Sequence, residues 1–225
     1  MSGFAPFLSG QDEEGTFMLN IDVRAELNAS LFSLLKKMPI TDISIHMITS
    51  ECGLSRRTFY NHFSDKYDLM AFLYYCSSEN CWFHRGHVCT FKVAYTRHLS
   101  NEHLPADVFN NMFHYVGQND IRGFMLKKVG HDLRRMFYYN HMDSMLKERD
   151  LRDSIQMLTY GIVAMYESRI RDASGYVPEA ATVINCIPEK YREALLRDPL
   201  ENGPRQDIVP FDPASCQWPP MLYLD

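Results

Sequence analysis

Nowhere in this chain do about 18 apolar residues run together, so no membrane-spanning helix is expected. The N-terminus lacks the basic-then-apolar pattern of a secretory signal, and a cytoplasmic location is the expectation. A Gly-rich phosphate loop, Gly-x-Ser-x-Gly and His-Glu-x-x-His are all missing, so the motif-based signs of an enzyme are absent. No catalytic residue, cofactor or metal is assigned. Positive charge is scarce as well: the formal net charge of -5 excludes a nucleic-acid binder driven by overall charge. Six cysteines without a secretory signal read as reduced thiols rather than a disulfide framework.

What the chain does have is apolar residues, 46% of the total, arranged mostly with helical periodicity. The fold class expected is all-α: a three-helix domain followed by a larger helical domain. Residues 1–19 show no clear period and read as an acidic, mobile arm. From about Ile21 to Lys37 a helix carries Leu27, Leu31, Leu34 and Leu35 on one face, and Pro39 ends it. Residues 20–64 form the first domain and 65–197 the second, while the Pro-rich, acidic stretch 198–225 reads as an irregular tail.

The stretch from Ser44 to Lys66 is where local signals agree most closely. Ser44 caps a short helix whose Ile45 and Ile48 share a face, Gly53 ends it, and Ser55 caps a second helix, RRTFYNHF. Phe59 and Phe63, at i and i+4, turn one side inward. The other side presents Arg56, Arg57, Thr58, Tyr60, Asn61 and His62. From Cys52 to Lys66 the basic residues Arg56, Arg57 and Lys66 face only one acid, Asp65, so a small positive patch sits within a chain that is acidic overall. Arg forks fit guanine and Asn fits adenine, which makes Arg56, Arg57 and Asn61 candidates for base edges. Thr58, Tyr60, His62 and Lys66 suit phosphates, with Ser44 and Ser55 assisting at helix N-termini.

The run GLSRRTFYNHFSDKYDL resembles the DNA-binding motif of the TetR/AcrR repressors, a Gly-[VL]-Ser corner followed by a recognition helix ending Phe-Tyr-x-His-Phe and then Lys. The resemblance covers residues 20–70. It implies a helix-turn-helix, a palindromic double-stranded DNA operator bound by a homodimer, and a connector helix, here 65–83, that carries the state of a sensing domain to the reading head. In the C-terminal half, GQN before a long helix, a Tyr-Gly pair in the penultimate one and a Pro-Glu-Lys-Tyr-Arg-Glu end resemble the TetR subgroup related to regulators of dihydroxyacetone kinase operons.

Further helices are expected over 90–99, 106–116, 121–147, 150–172, 178–187 and 188–197. Met and aromatic side chains with isolated polar groups suit either plain core or a small-molecule cavity, and His114, Tyr115, His131, Phe137 and Tyr138 are the ligand candidates, for a small effector or a partner protein. The resembling regulators dimerise through terminal helices, which points to Ile155, Leu158, Ile162, Met165 and Ile184 here. Two other readings stay open: a helical small-molecule enzyme, and a metal sensor using CSSENCWFHRGHVC, Cys76 to Cys89. Thiols and imidazoles are zinc ligands, but their spacing does not place all of them on one helical face.

Overall fold

The computed structural model describes residues 15–84, 87–99, 104–172 and 178–202. Among them the chain is all-helical apart from one short antiparallel pair, β1 (Phe83–His84) and β2 (His87–Val88). The helices are α1 (Gly15–Leu35), α2 (Ile45–Glu51), α3 (Arg56–Tyr60), α4 (Lys66–Trp82), α5 (Phe91–Leu99), α6 (Ala106–Met112), α7 (Ile121–Tyr139), α8 (Arg149–Arg171), α9 (Ala180–Asn185) and α10 (Glu189–Leu196). Two 3-10 turns complete them, at Asp143–Lys147 and Pro199–Asn202.

Several boundaries differ from the sequence expectation. The first helix begins at Gly15, inside the stretch read as an arm, and residues 1–14 lie outside the described part. The tail opens with a 3-10 turn, and 203–225 lie outside the described residues. The helix expected over 121–147 stops at Tyr139: Asn140 turns its side-chain amide back onto the Met136 carbonyl, and His141 takes a left-handed φ of 57°. That turn frees 143–147 to wind as a separate 3-10 segment.

α1 to α3 form a head around Leu27, Leu31, Leu35, Ile48, Phe59 and Phe63, all buried. Ser44 Oγ accepts the Met47 N–H at 3.2 Å, and Ser55 Oγ accepts the Thr58 N–H at 3.0 Å, so both helices start where their caps are. Between them Gly53 sits at φ 70°, a conformation in which any Cβ is strained. Arg24 of α1 stacks its guanidinium over Phe63 and Phe72, with 5.3 and 5.7 Å to the ring centres, and so packs α1 against the exit from α3.

The second half is organised around α7, which is buried on several sides: Met125, Val129, Leu133, Met136 and Phe137 all lie in the core. α8 runs along it. A side chain at Gly130 would meet Thr159 of α8 at 3.2 Å, so glycine there permits the close approach. Asn140 Nδ2 also donates to the Ala194 carbonyl at 2.8 Å, fastening α10 to the end of α7.

Head and body meet through α4. Asp65 accepts the N–H groups of Tyr67 and Asp68, and Asp68 returns to accept the Ser64 N–H and hydroxyl, so the N-terminus of α4 is doubly capped. The Lys66 ammonium donates to the carbonyls of Ile40, Thr41 and Ile43 at 2.7, 3.1 and 2.7 Å. On the other side of the same loop, the Ile40 N–H donates to the Asn111 carbonyl at 3.0 Å while Asn111 Nδ2 donates to the Leu35 carbonyl at 2.7 Å. The loop after α1 is thus held between α4 and α6.

Candidate nucleic-acid interface and effector cavity

α3 is an amphipathic turn and a half. Phe59 is fully buried and Phe63 nearly so, whereas Arg56, Arg57, Tyr60 and Asn61 are exposed. No side-chain hydrogen bond or ion pair engages Arg56 or Arg57 among the described residues. The Tyr60 ring, 57% exposed, braces edge-on against Phe59 at 5.6 Å and leaves its hydroxyl outward. An outward row of two guanidiniums, an amide and a phenol on a supported helix can meet both phosphates and base edges.

The other proposed contacts are placed less freely. The hydroxyls of Ser44 and Ser55 are engaged as helix caps, and Thr58 Oγ1 lies 2.8 Å from Ser55 Oγ. His62 is half-buried beside Arg24; burial first and that cation second lower its pKa, which keeps the imidazole neutral near pH 7. Lys66 is a correction. Its three N–H donors are already directed at three carbonyls, so it is a brace for the loop after α1 and not a phosphate contact.

The five ligand candidates do not converge. Phe137 is fully buried core, and Tyr138 is only partly covered, edge-on to Tyr139. His114 is exposed, and Tyr115 stacks on Tyr67 at 4.0 Å with its hydroxyl on the Gln118 carbonyl. His131 lies 3.7 Å from Asp132. A cavity of about 20 Å³ lies elsewhere, between α5, α7 and α8. Phe91, Tyr95, His98 and Tyr166 supply its aromatic lining, Ala94, Val129, Leu133 and Ile162 the aliphatic part, and Asp132 is the carboxylate-bearing residue among them.

Asp132 also belongs to a buried cluster of four charges that the sequence reading missed. Lys128 Nζ is 2.6 Å from Glu79 Oε1 and from both Asp132 oxygens. Arg135 Nη1 reaches Glu79 Oε1 at 2.6 Å and Asp132 Oδ1 at 3.2 Å, and its Nε donates to the Tyr139 hydroxyl at 2.8 Å. Burial alone would raise the Asp132 carboxyl, but Lys128, His131 and Arg135 outweigh it and hold the group well below the usual carboxylate range. Glu79 follows the same logic, with Lys128 and Arg135 prevailing over burial. Because Glu79 is on α4 and the other three are on α7, the cluster fixes α4 against α7.

The dimer candidates are corrected too. Ile155, Leu158, Ile162 and Ile184 are buried within the chain itself, and only Met165 is partly exposed. The apolar stripe of α8 is used up on α7, the nearest apolar surface. The opposite face of α8 carries Met157, 77% exposed, and Tyr160, 53% exposed, which with Asp153 and Gln156 line a shallow groove. Gly161 beside them has nothing within 4 Å of where a Cβ would stand.

In the Cys76–Cys89 segment Cys81 is buried and Cys76 and Cys89 are half-buried. Residues 85 and 86 lie outside the described part, and no group of three metal-ligating side chains occurs among the described residues. No helix there is long and apolar enough to cross a membrane. No protein-family model and no curated protein matches this chain.

Proposed function

We propose that this chain is a sequence-specific DNA-binding transcriptional regulator of the TetR type, in which α2 and α3 act as a helix-turn-helix. The observation that carries the reading is the outward row of Arg56, Arg57, Tyr60 and Asn61, standing clear over the buried Phe59 and Phe63. α3 enters the major groove, Arg56, Arg57 and Asn61 read base edges, and Thr58, Tyr60 and His62 lie along the backbone.

The protein acts as a homodimer on a palindromic operator. Support for this comes from the outer face of α8, where Met157 and Tyr160 are exposed beside Gly161 and a second copy of the helix can approach closely. A two-fold dimer presents its recognition helices to half-sites about one helical turn apart, roughly 34–36 Å. An effector in the cavity against Asp132 shifts the population of head spacings through α4, with an effect limited by its differential affinity for the two states.

The test is selection from a randomised duplex pool by the purified full chain. Enrichment of a two-fold symmetric sequence supports the reading, and a pool that stays random after repeated rounds overturns it.

A further inference from the structure

The cavity between α5, α7 and α8 combines features that a neutral core void does not need. Its volume of about 20 Å³ slightly exceeds the space one water-sized sphere requires, about 10–15 Å³, so it takes a head group and not a ring. Phe91 and Tyr95 in its lining stack on one another at 5.5 Å, and Tyr166 lies 4.6 Å from His98. Asp132, 3% exposed, is the one carboxylate-bearing residue of the lining.

The polar cluster behind that carboxylate has acceptors to spare. Asp132 Oδ1 receives Lys128 and Arg135, but Oδ2 receives Lys128 alone. Glu79 Oε2 is buried with no hydrogen-bond partner. A carboxylate has about four lone-pair sites, so both acids can take another donor. Burial, first, pushes the hydroxyl of Tyr166 in the cavity lining well above the ordinary tyrosine range, and Asp132 adds to it as a lesser cause.

We propose that this cavity is a receptor for the ammonium head of a small primary amine, held against the aromatic lining of Phe91, Tyr95 and Tyr166 and bonded to Asp132 Oδ2. Aromatic faces and a carboxylate are both attractive to a cation, and an ammonium brings three donors and no acceptor, matching the surplus. Because Lys128 touches Asp132 and Glu79 at once, an amine on Asp132 lets Lys128 turn toward the unpartnered Glu79 Oε2 on α4. Amine binding stands on the cavity alone; its consequence for DNA rests on the regulator reading above.

The experiment uses the full chain and methylammonium chloride as the probe, against potassium chloride at equal ionic strength and methanol at equal concentration. Methylammonium at about ten times its dissociation constant should raise the melting temperature by about 3–5 °C, with saturation at one per chain by calorimetry. Ala94→Leu, which fills the cavity without changing charge, should abolish the rise. If Ala94→Leu does not fold, Phe91→Leu should weaken methylammonium about tenfold and leave methanol unchanged. An equal response to potassium or methanol overturns the proposal, as does an amine response that survives in the folded Ala94→Leu variant or is unchanged in Phe91→Leu. DNA retention, measured on the same preparation without amine, keeps the two readings separable: loss of the amine response with DNA binding intact removes only this site.

Discussion

The ammonium of Lys66 lies 2.7 Å from the carbonyl oxygen of Ile40, which ties the first turn of the connector helix to the loop that leaves α1. The Ile40 N–H is in turn held by Asn111 of α6. Any tilt of α4 relative to α6 must therefore strain this loop, and the loop leads directly into the Ser44 cap of α2.

Lys66→Met should accordingly cost about 1–3 kcal/mol of stability, since the carbonyls of Ile40, Thr41 and Ile43 lose a charged donor. Its DNA affinity should keep the wild-type salt slope, because no phosphate contact is removed. Urea denaturation together with a salt series checks both parts; a slope smaller by about one unit would return Lys66 to the phosphates.

The buried cluster predicts acid sensitivity. Asp132 and Glu79 both have carboxyls depressed in the folded state. The stability they contribute is complete above the unfolded carboxylate values, about pH 4, and is lost as the pH falls toward the depressed folded ones. Glu79→Gln leaves Lys128 and Arg135 with one carboxylate between them and should cost about 3–5 kcal/mol. In the charge-balanced pair Glu79→Gln with Lys128→Met, the acid limb of a melting-temperature profile should be shallower than in the wild type, and an unchanged limb would contradict the assignment.

Two substitutions on one helix separate interface from core. Tyr160→Glu should yield a folded, helical monomer, because Tyr160 is more than half exposed on α8. Ile162→Glu puts an unpaired charge at a position 4% exposed and should unfold the chain, by about 4 kcal/mol or more. Sedimentation and circular dichroism on both variants decide the matter, and a wild type that is already monomeric would remove the dimer.

The features legible in the sequence were those with local causes. Ser44, Gly53 and Ser55 act within their own turns, so cap, break and cap could be read directly, and the Leu27, Leu31, Leu34 and Leu35 stripe needed only the helical period. The charged cluster was not legible because Lys128, Asp132 and Arg135 stand at i, i+4 and i+7, the pattern of a solvated helix face. Only Glu79, arriving from 49 residues earlier, makes burial tolerable there. The dimer residues were misplaced for a related reason: Ile155, Leu158 and Ile162 form the more apolar face, and that face is taken by α7 within the same chain. What was left over, Met157 and Tyr160, is visible as a surface only after the fold is known. His141 ended α7 early by adopting a positive φ that no glycine announced.

The central claim, that the outer face of α3 reads DNA, is tested most directly by fluorescence anisotropy of a labelled duplex from the DNA flanking the gene, measured alongside a random duplex. Wild type should prefer the flanking sequence, and the preference should sharpen as salt is raised and non-specific binding falls. Arg57→Ala should lose about 1–3 kcal/mol on the flanking sequence and much less on the random one, narrowing the gap between them. Equal affinity of the wild type for both duplexes, or an Arg57→Ala variant that discriminates as well as the wild type, would contradict the account.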